Sequence, residues 1–277
     1  MDIYQLITNF YHQTKLEKCV FGKSVFGRKL YAIKVGEGSP VGLAQYAIHG
    51  REFITARLAL WHAQIGVEKG SVWLVPLVNP DGALLSEVGI SSAIGEINTK
   101  RLLQYNGGSR DFSLWKANGR GVDLNVNFDA KWGKGAKNVT VAGAENYIGK
   151  KPFSEPETLA LKRFTQKIRP DYTVSYHTKG EEIYWYFYQS MRDCARDKRL
   201  AMALCRSTGY PLKSAKGSVG GYKDWCIESL HIPSFTIEAG ADDFTHPLGE
   251  KGLKNIVERN RYALYDLSKE FHLLCEN

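Results

Sequence analysis

Four side chains that can bind a metal or move a proton lie near the ends of apolar stretches in this sequence. His49 and His177 each end such a stretch, Glu52 follows His49 by three residues, and Glu238 lies near the end of a third stretch. In open α/β sheets, ligands bind outside the carboxyl ends of the strands. A polar group buried at that edge costs free energy unless it is paired or bound to a metal. We therefore expect these four side chains to share one site.

The types and spacing of these residues favour zinc. His49 and Glu52 lie on a turn that enters a helix, so both can reach one ion, and His177 supplies a third ligand from a distant strand. Such a set leaves one position for water, as a catalytic zinc site requires. Glu238 would take a proton from that water and give it to the leaving amine. The HxxE spacing alone is a weak signal, and a histidine at a strand end is more often a hydrogen-bonded structural residue.

Strands and helices alternate along the chain and must position these residues. Apolar runs predict strands over 43–49, 71–79, 171–177 and 232–240. Helical periodicity predicts helices over 1–18, 54–66, 154–168, 198–209 and 251–274. This alternation predicts an α/β fold with one domain over residues 1–277, built on a mixed, mostly parallel twisted sheet with helices on both faces.

Turn and cap signals complete this expectation. Residues 24–38 are predicted to form a hairpin with its turn at Gly27-Arg28, and NPDG (79–82) is predicted to be a turn. The long segment 83–150 is rich in Gly and Asn and is expected to be mostly loop. Ser154 is expected to cap the helix over 154–168, with Glu157 completing a capping box.

Composition narrows the classes of protein. The five cysteines form no CxxC pair, which argues against a disulfide framework and favours a reducing compartment. No run of eighteen apolar residues predicts a membrane span, and the N-terminus reads as an amphipathic helix rather than a leader, so we expect a cytoplasmic protein. The net charge of +8 reflects either a solvated basic surface or a surface that binds an acidic partner. The sequence contains no Lys/Arg-rich run of the kind that would predict nucleic-acid binding.

Taken in order, seven motifs resemble those of the zinc metallocarboxypeptidases. They cover most of the chain: IHGRE (48–52), NPDG (79–82), RGVDLNVNFD (120–129), PFSEPET (152–158), SYHTKGE (175–181), GGYKDW (220–225) and PSFTIEAG (233–240). The resemblance implies one Zn²⁺ ion with His49, Glu52 and His177 as ligands and Glu238 as general base and acid. It also implies a fold of the zinc carboxypeptidase type.

The same resemblance assigns two supporting residues. Arg120 matches the arginine that polarises the scissile carbonyl, although the loose alignment of this loop leaves Arg110 as an alternative. Asp123 matches a position that hydrogen-bonds a ligand imidazole, and a loop-capping aspartate is the alternative.

Two positions depart from the family pattern. Val126 occupies the place of an arginine that grips the C-terminal carboxylate of a substrate, and valine cannot donate a bidentate fork. Ile227 occupies the place of a tyrosine that covers the substrate. An ordinary protein-degrading carboxypeptidase is therefore not the first expectation.

The stretches WKANGRGVDLN, HTKGEEIYW and GGYKDW resemble the bacterial branch that hydrolyses the amide between γ-D-glutamate and meso-diaminopimelate in peptidoglycan stem peptides. The expected partner is thus a small acidic muropeptide, not a nucleic acid or a membrane. Asn125, Lys179 and Lys223 are the expected substrate-binding residues, each with a structural alternative. A carboxypeptidase for ordinary C-terminal residues and a silent muropeptide-binding protein remain alternatives. The sequence leaves open the choice between diaminopimelate and lysine, the peptide length and the oligomeric state.

Overall fold

A computed structural model of the protein describes residues 1–214 and 217–276. This part of the chain contains eight strands: β1 (Lys18–Lys23), β2 (Lys29–Gly36), β3 (Val41–Tyr46), β4 (Ser71–Val75), β5 (Tyr172–His177), β6 (Glu182–Tyr184), β7 (Leu212–Lys213) and β8 (Ser234–Glu238). It also contains nine α-helices: α1 (Ile3–Gln13), α2 (Thr55–Ile65), α3 (Pro80–Val88), α4 (Glu96–Tyr105), α5 (Pro156–Ile168), α6 (Met191–Thr208), α7 (Tyr222–Leu230), α8 (Glu250–Asn260) and α9 (Ala263–Cys275).

The strands form one mixed sheet in the order β1-β2-β4-β3-β5-β8-β6-β7. Its centre is parallel, because β3 pairs in parallel with both β4 and β5, and β5 pairs in parallel with β8. The register places Tyr46 beside Tyr176 and His177 beside Glu238. The carboxyl ends of three central strands therefore meet at one edge, as a parallel sheet requires.

Apolar side chains are buried on both faces of this sheet. Along β3, Ala44 and Tyr46 belong to one hydrophobic cluster with α2, α6 and α9, while Leu43 belongs to another with α5 and α7. Successive strand residues point to opposite faces, so the continuous apolar runs in the sequence reflect helices on both sides. The predicted fold class is confirmed. Among the described residues, no helix is long and apolar enough to cross a bilayer.

Several predicted boundaries were wrong. The hairpin turn lies where expected, but its first strand is β1, which precedes residue 24. The NPDG segment is no isolated turn: it begins α3, because the Asn79 side chain accepts a hydrogen bond from the Gly82 amide. Ser154 does not cap α5; Glu155 precedes the helix, and the Ser154 hydroxyl donates to the Glu155 carboxylate instead.

Helices were also missed where the sequence pattern was weak. The segment expected to be loop contains α4, and GGYKDW lies at the start of α7, which was not predicted. The last helix is divided at Arg261–Tyr262 into α8 and α9. Gly95 and Gly221 precede α4 and α7 without a side-chain cap, so the usual Ser, Thr or Asp signal for a helix start is absent there.

Candidate metal centre

The turn after β3 brings two of the expected ligands together. His49 ends the extended segment, and Gly50–Glu52 form a single turn of 3₁₀ helix. Gly50 is needed here because a Cβ atom would lie 2.5 Å from the Gly82 carbonyl oxygen and 2.7 Å from that of Trp115. The turn is thus packed against the start of α3.

Asn79 connects the segments around this turn. Its side-chain amide donates hydrogen bonds to the carbonyl oxygens of Ile48 at 3.2 Å and Ala117 at 3.1 Å, while its carbonyl caps α3. The NPDG motif therefore fixes the backbone next to His49. It also fixes the segment that carries Lys116, whose carbonyl accepts a hydrogen bond from Gly50.

The side chains of His49, Glu52 and His177 converge in a buried cluster, here called the metal centre. Glu52 Oε1 lies 2.9 Å from His49 Nδ1, and Glu52 Oε2 lies 3.0 Å from His177 Nδ1. The two Nδ1 atoms are 3.1 Å apart. Tetrahedral zinc with Zn–N distances of about 2.0–2.1 Å would hold its donor atoms roughly 3.3 Å apart. The arrangement fits one zinc ion with both imidazoles bound through Nδ1.

The outer nitrogen of His49 supports that fit. His49 Nε2 is buried and lies 3.3 Å from Asp123 Oδ1. A carboxylate behind a ligand histidine fixes the ring and its tautomer, which leaves the other nitrogen free for the metal. Asp123 is fully buried.

Asp123 also forms an ion pair with a lysine that was not predicted from the sequence. Lys116 Nζ lies 3.0 Å from Asp123 Oδ2, and Lys116 lines the same cleft as His49 and Glu238. Its neighbours Trp115 and Ala117 are both buried, which only the structure shows, so the sequence carried no signal for Lys116. The structure gives the metal centre this cation as its neighbour.

The pKa directions follow from these contacts. Burial raises the pKa of Glu52, but His49 and His177 outweigh burial and hold that pKa well below its ordinary range. Burial likewise raises the pKa of Asp123, and Lys116 and His49 together hold it well below the usual value. Both carboxylates are therefore ionised, as ligation and support of a cation require.

Glu238 differs from these two acids. It ends β8 beside His177 and lines two cavities of about 270 and 330 Å³ that adjoin the metal centre. Burial raises the pKa of Glu238 to about 7, against the opposing charge of His177. A carboxyl group with a pKa near neutrality can both accept and donate a proton.

The smaller cavity contains two of the expected substrate-binding residues. Asn125 lies beside the metal centre, with Nδ2 3.5 Å from His177 Nε2, and its Oδ1 accepts a hydrogen bond from the Tyr222 amide. Lys223 is buried and its Nζ lies 2.6 Å from Asp224 Oδ1. Lys223 and Asp224 therefore present a cation and an anion side by side in one polar pocket.

The two departures from the family pattern occupy different places. Val126 lines the larger cavity, where Gly220 (φ +85°) packs against its backbone. Ile227 lies on α7, where its side chain is buried in the apolar core and does not face the cleft. The position of the expected carboxylate clamp is thus apolar but still part of the site.

The structure does not bring two other predicted residues to the metal centre. The Arg120 side chain is 57% exposed, lies 3.7 Å from Glu155 and lines a separate cavity. Lys179 pairs with Asp242 at 3.0 Å on an exposed loop. The motif predicts Arg120 in the cleft, yet the loop after Asn118 turns its side chain away, and Lys116 lies in the cleft instead.

The comparisons with known proteins agree with this geometry. The family model for zinc carboxypeptidases matches residues 3–263. The γ-D-glutamyl-L-diamino acid endopeptidase 1 of Lysinibacillus sphaericus is 32% identical over 255 residues, which is 85% of this chain and 63% of that protein. The murein peptide amidase A of Escherichia coli K12 is 33% identical over 132 residues, 44% of this chain and 50% of that protein. The chain thus spans less than two thirds of the length of these relatives.

Solved structures share the fold. Bovine thrombin-activatable fibrinolysis inhibitor, in complex with a tick carboxypeptidase inhibitor, superposes with a TM-score of 0.77 at 20% identity, covering 100% of this chain and 98% of that one. The murein-tripeptide amidase of Escherichia coli O157 gives a TM-score of 0.57 at 24% identity, covering 91% of each chain.

Proposed function

Because the chain belongs to the zinc carboxypeptidase family, we propose that it is a zinc hydrolase of peptidoglycan stem peptides. The bond cleaved is the amide between γ-D-glutamate and a diamino acid, meso-diaminopimelate. The names of the endopeptidase and amidase relatives support this substrate class. The observation that carries the proposal is the buried Lys223–Asp224 pair in the pocket beside Glu238. A bacterial, cytoplasmic setting stays a prediction from the sequence.

His49, Glu52 and His177 would hold the zinc ion, as their mutual distances support. When bound, zinc supplies a Lewis acid that polarises the substrate carbonyl and acidifies the attacking water. Glu238 takes the proton from water during attack and passes it to the leaving amine, which its pKa of about 7 suits.

Lys116 takes the role that the family resemblance predicted for Arg120. Its ammonium lies in the cleft and is held by Asp123 at 3.0 Å. Burial lowers the pKa of Lys116, but Asp123 and Glu52 outweigh burial and keep the pKa above its ordinary value. A fixed positive charge beside the reacting carbonyl stabilises the oxyanion that develops there.

The polar pocket supports diaminopimelate as the leaving group. The distal end of meso-diaminopimelate carries both an ammonium and a carboxylate, which complement Asp224 and Lys223. A substrate lysine carries only an ammonium at its distal end, so it would give Lys223 no carboxylate to bind. Val126 removes the usual grip on an α-carboxylate, and Asn125 remains as a hydrogen-bond donor in the cleft.

The test compares three peptides with zinc-loaded protein. L-Ala-γ-D-Glu-meso-diaminopimelate is expected to release diaminopimelate, detected by mass spectrometry, and chelation should abolish the release. The same peptide with L-lysine should react more slowly, and an α-linked peptide of L-residues should not react. Cleavage of the α-linked peptide alone would reject this substrate and leave an ordinary carboxypeptidase. Binding of the first peptide without turnover would reject the enzyme.

A pair of variants isolates the pocket. Lys223→Met is expected to raise KM for the diaminopimelate peptide by about tenfold or more, the usual effect of losing a charged hydrogen bond. It should change the lysine peptide much less. Lys251→Met removes the same charge from the exposed surface of α8 and serves as the control. Equal effects on both peptides would contradict the assignment.

A further inference from the structure

A separate cavity, of about 860 Å³, lies behind the wall of the cleft. Its lining includes Arg101 of α4, Arg120 and the neighbouring Lys150 and Lys151, and we call it the basic cavity. Glu155 is the one carboxylate among its described lining residues. Four cations against one carboxylate leave a formal charge of +3.

The carboxylate in this cavity already has partners. Glu155 Oε2 accepts a hydrogen bond from Asn118 Nδ2 at 2.9 Å, and Oε1 accepts one from Ser154 at 2.8 Å. Arg120 lies 3.7 Å from the same carboxylate. Arg101, Lys150 and Lys151 are exposed and form no ion pair with any described residue. An anion from solution can therefore pair with these side chains without displacing an existing partner.

The backbone that carries Arg120 is fixed rather than loose. Asn118 Oδ1 accepts hydrogen bonds from the amides of Arg120 at 2.9 Å and Val122 at 3.1 Å. Gly121 has a φ of +71°, and a Cβ atom there would lie 3.0 Å from the Gly143 nitrogen. Arg120 therefore lies on a turn whose backbone is held by hydrogen bonds and close packing.

The basic cavity shares a thin wall with the metal cleft. Val122 and Tyr147 line the basic cavity, while their neighbours Asp123 and Asn146 face the metal centre and its cleft. The Asp123 amide donates to the Tyr147 carbonyl, and the Asn146 amide donates to Asp123 Oδ2. A ligand in the basic cavity would thus lie against the residues that support His49.

We infer that the basic cavity binds a multiply charged oxyanion of the phosphate class. Guanidinium groups match phosphate with two parallel hydrogen bonds, and lysines add point charges. A monoanion would leave most of the excess charge uncompensated. A phosphate carried on the far end of a longer substrate and free phosphate offer the same chemistry. Binding needs no turnover, so the inference stands apart from the proposed hydrolysis.

Inorganic phosphate is the probe, titrated at fixed ionic strength into the zinc-loaded chain and followed by ³¹P line broadening. The double variant Arg101→Ala/Lys150→Ala is expected to weaken binding by about tenfold or more, as the loss of charge-assisted hydrogen bonds predicts. The double variant Arg192→Ala/Lys198→Ala removes the same charge from exposed positions on α6 and should bind phosphate like the wild type.

Two results would overturn the inference. Equal weakening in both double variants would reduce binding to general charge attraction. Weakening in Lys137→Ala, which alters the metal cleft, with none in Arg101→Ala/Lys150→Ala would place the phosphate in that cleft instead.

Hydrolysis of the phosphate-free tripeptide separates the two sources. A phosphate-dependent change in kcat/KM that the Arg101→Ala/Lys150→Ala variant loses identifies free phosphate as the ligand. Specific broadening without any change in kcat/KM excludes free phosphate as a regulator of hydrolysis and favours a phosphate on a longer substrate as the ligand. If the tripeptide is not hydrolysed at all, the proposed function fails, while the titration still decides the site.

Discussion

Two buried glutamates of this protein have pKa values that shift in opposite directions. Glu52 belongs to the metal centre, and its exposed fraction is 3%; Glu157, at the start of α5, has an exposed fraction of 0%. The pKa of Glu52 lies well below its ordinary range, whereas burial raises the pKa of Glu157 to about 8. Burial acts in the same direction on both, so the neighbours decide the difference.

Those neighbours differ in charge. Glu52 faces two imidazoles, while Glu157 faces Asp81 and Glu155, and we call these three carboxyl groups the acid cluster. Glu157 receives hydrogen bonds from the Val25 amide and from an uncharged side-chain amide, but the nearby arginine, Arg28, pairs with Asp81. The comparison shows that the charge of the neighbouring groups, rather than burial, sets the direction in which the pKa of a buried glutamate shifts. In the acid cluster, burial and the neighbouring carboxylates instead raise the pKa of Glu157 and so favour its neutral form near pH 7.

The largest expected effect is a loss of kcat that a variant beside the metal centre should show and a variant in the acid cluster should not. Glu238→Gln is expected to lower kcat by about 10³-fold because the proton carrier is lost. Glu157→Gln should keep the wild-type rate at a temperature where it is folded. Steady-state kinetics and zinc content of both variants provide the measurement. A Glu238→Gln variant that keeps its zinc and a tenth of the activity would remove Glu238 from the mechanism.

A smaller effect sharpens the view of the metal centre itself. Lys116→Met is expected to reduce kcat by about 10²-fold, the usual cost of losing one oxyanion-stabilising group. Arg120→Ala should reduce it by less, because that side chain lies outside the cleft. Kinetics with the diaminopimelate peptide compare the two. The reverse order would restore the arginine predicted from the motif.

Metal removal tests whether only one region responds to zinc. Zinc at 100 times its dissociation constant is expected to stabilise the fold by about 2.7 kcal/mol, which raises Tm. His177→Asn should lose most of this rise, and Glu157→Gln should keep it. Calorimetry with and without chelator gives the shifts. A full zinc-dependent rise in His177→Asn would show that the ion binds elsewhere.

The last expected effect, small over any single pH unit, is a pH dependence of the acid cluster. The folded-state pKa of Glu157, about 8, lies above its ordinary 4.5, so its contribution to stability is complete below pH 4.5 and is lost as the pH rises to 8. The slope is at most about 1.4 kcal/mol per pH unit. Urea unfolding between pH 5 and 9 should show a flatter profile for Glu157→Gln. An unchanged profile would mean that Glu157 is ionised in the fold.

Much of the site could be predicted from strand ends. His49, His177 and Glu238 follow apolar runs, and the carboxyl ends of parallel strands must meet at one edge. The alternation of strands and helices likewise predicted the sheet. Helix α7 escaped because glycine precedes it, and the NPDG segment was read as a turn because its residues favour both turns and helix starts.

Residue types and their periodicity were enough to identify the groups that could bind zinc, because residue type sets ligand chemistry and a period of two or 3.6 sets the element. Tertiary contacts were needed to show that Lys116 rather than Arg120 enters the cleft, and that Lys179 turns to Asp242. Loop side chains follow no period, so their directions depend on distant contacts such as Asn118 with Glu155 and Asn79 with Ala117. Burial and charge, which separate Glu52 from Glu157, exist only once those contacts form.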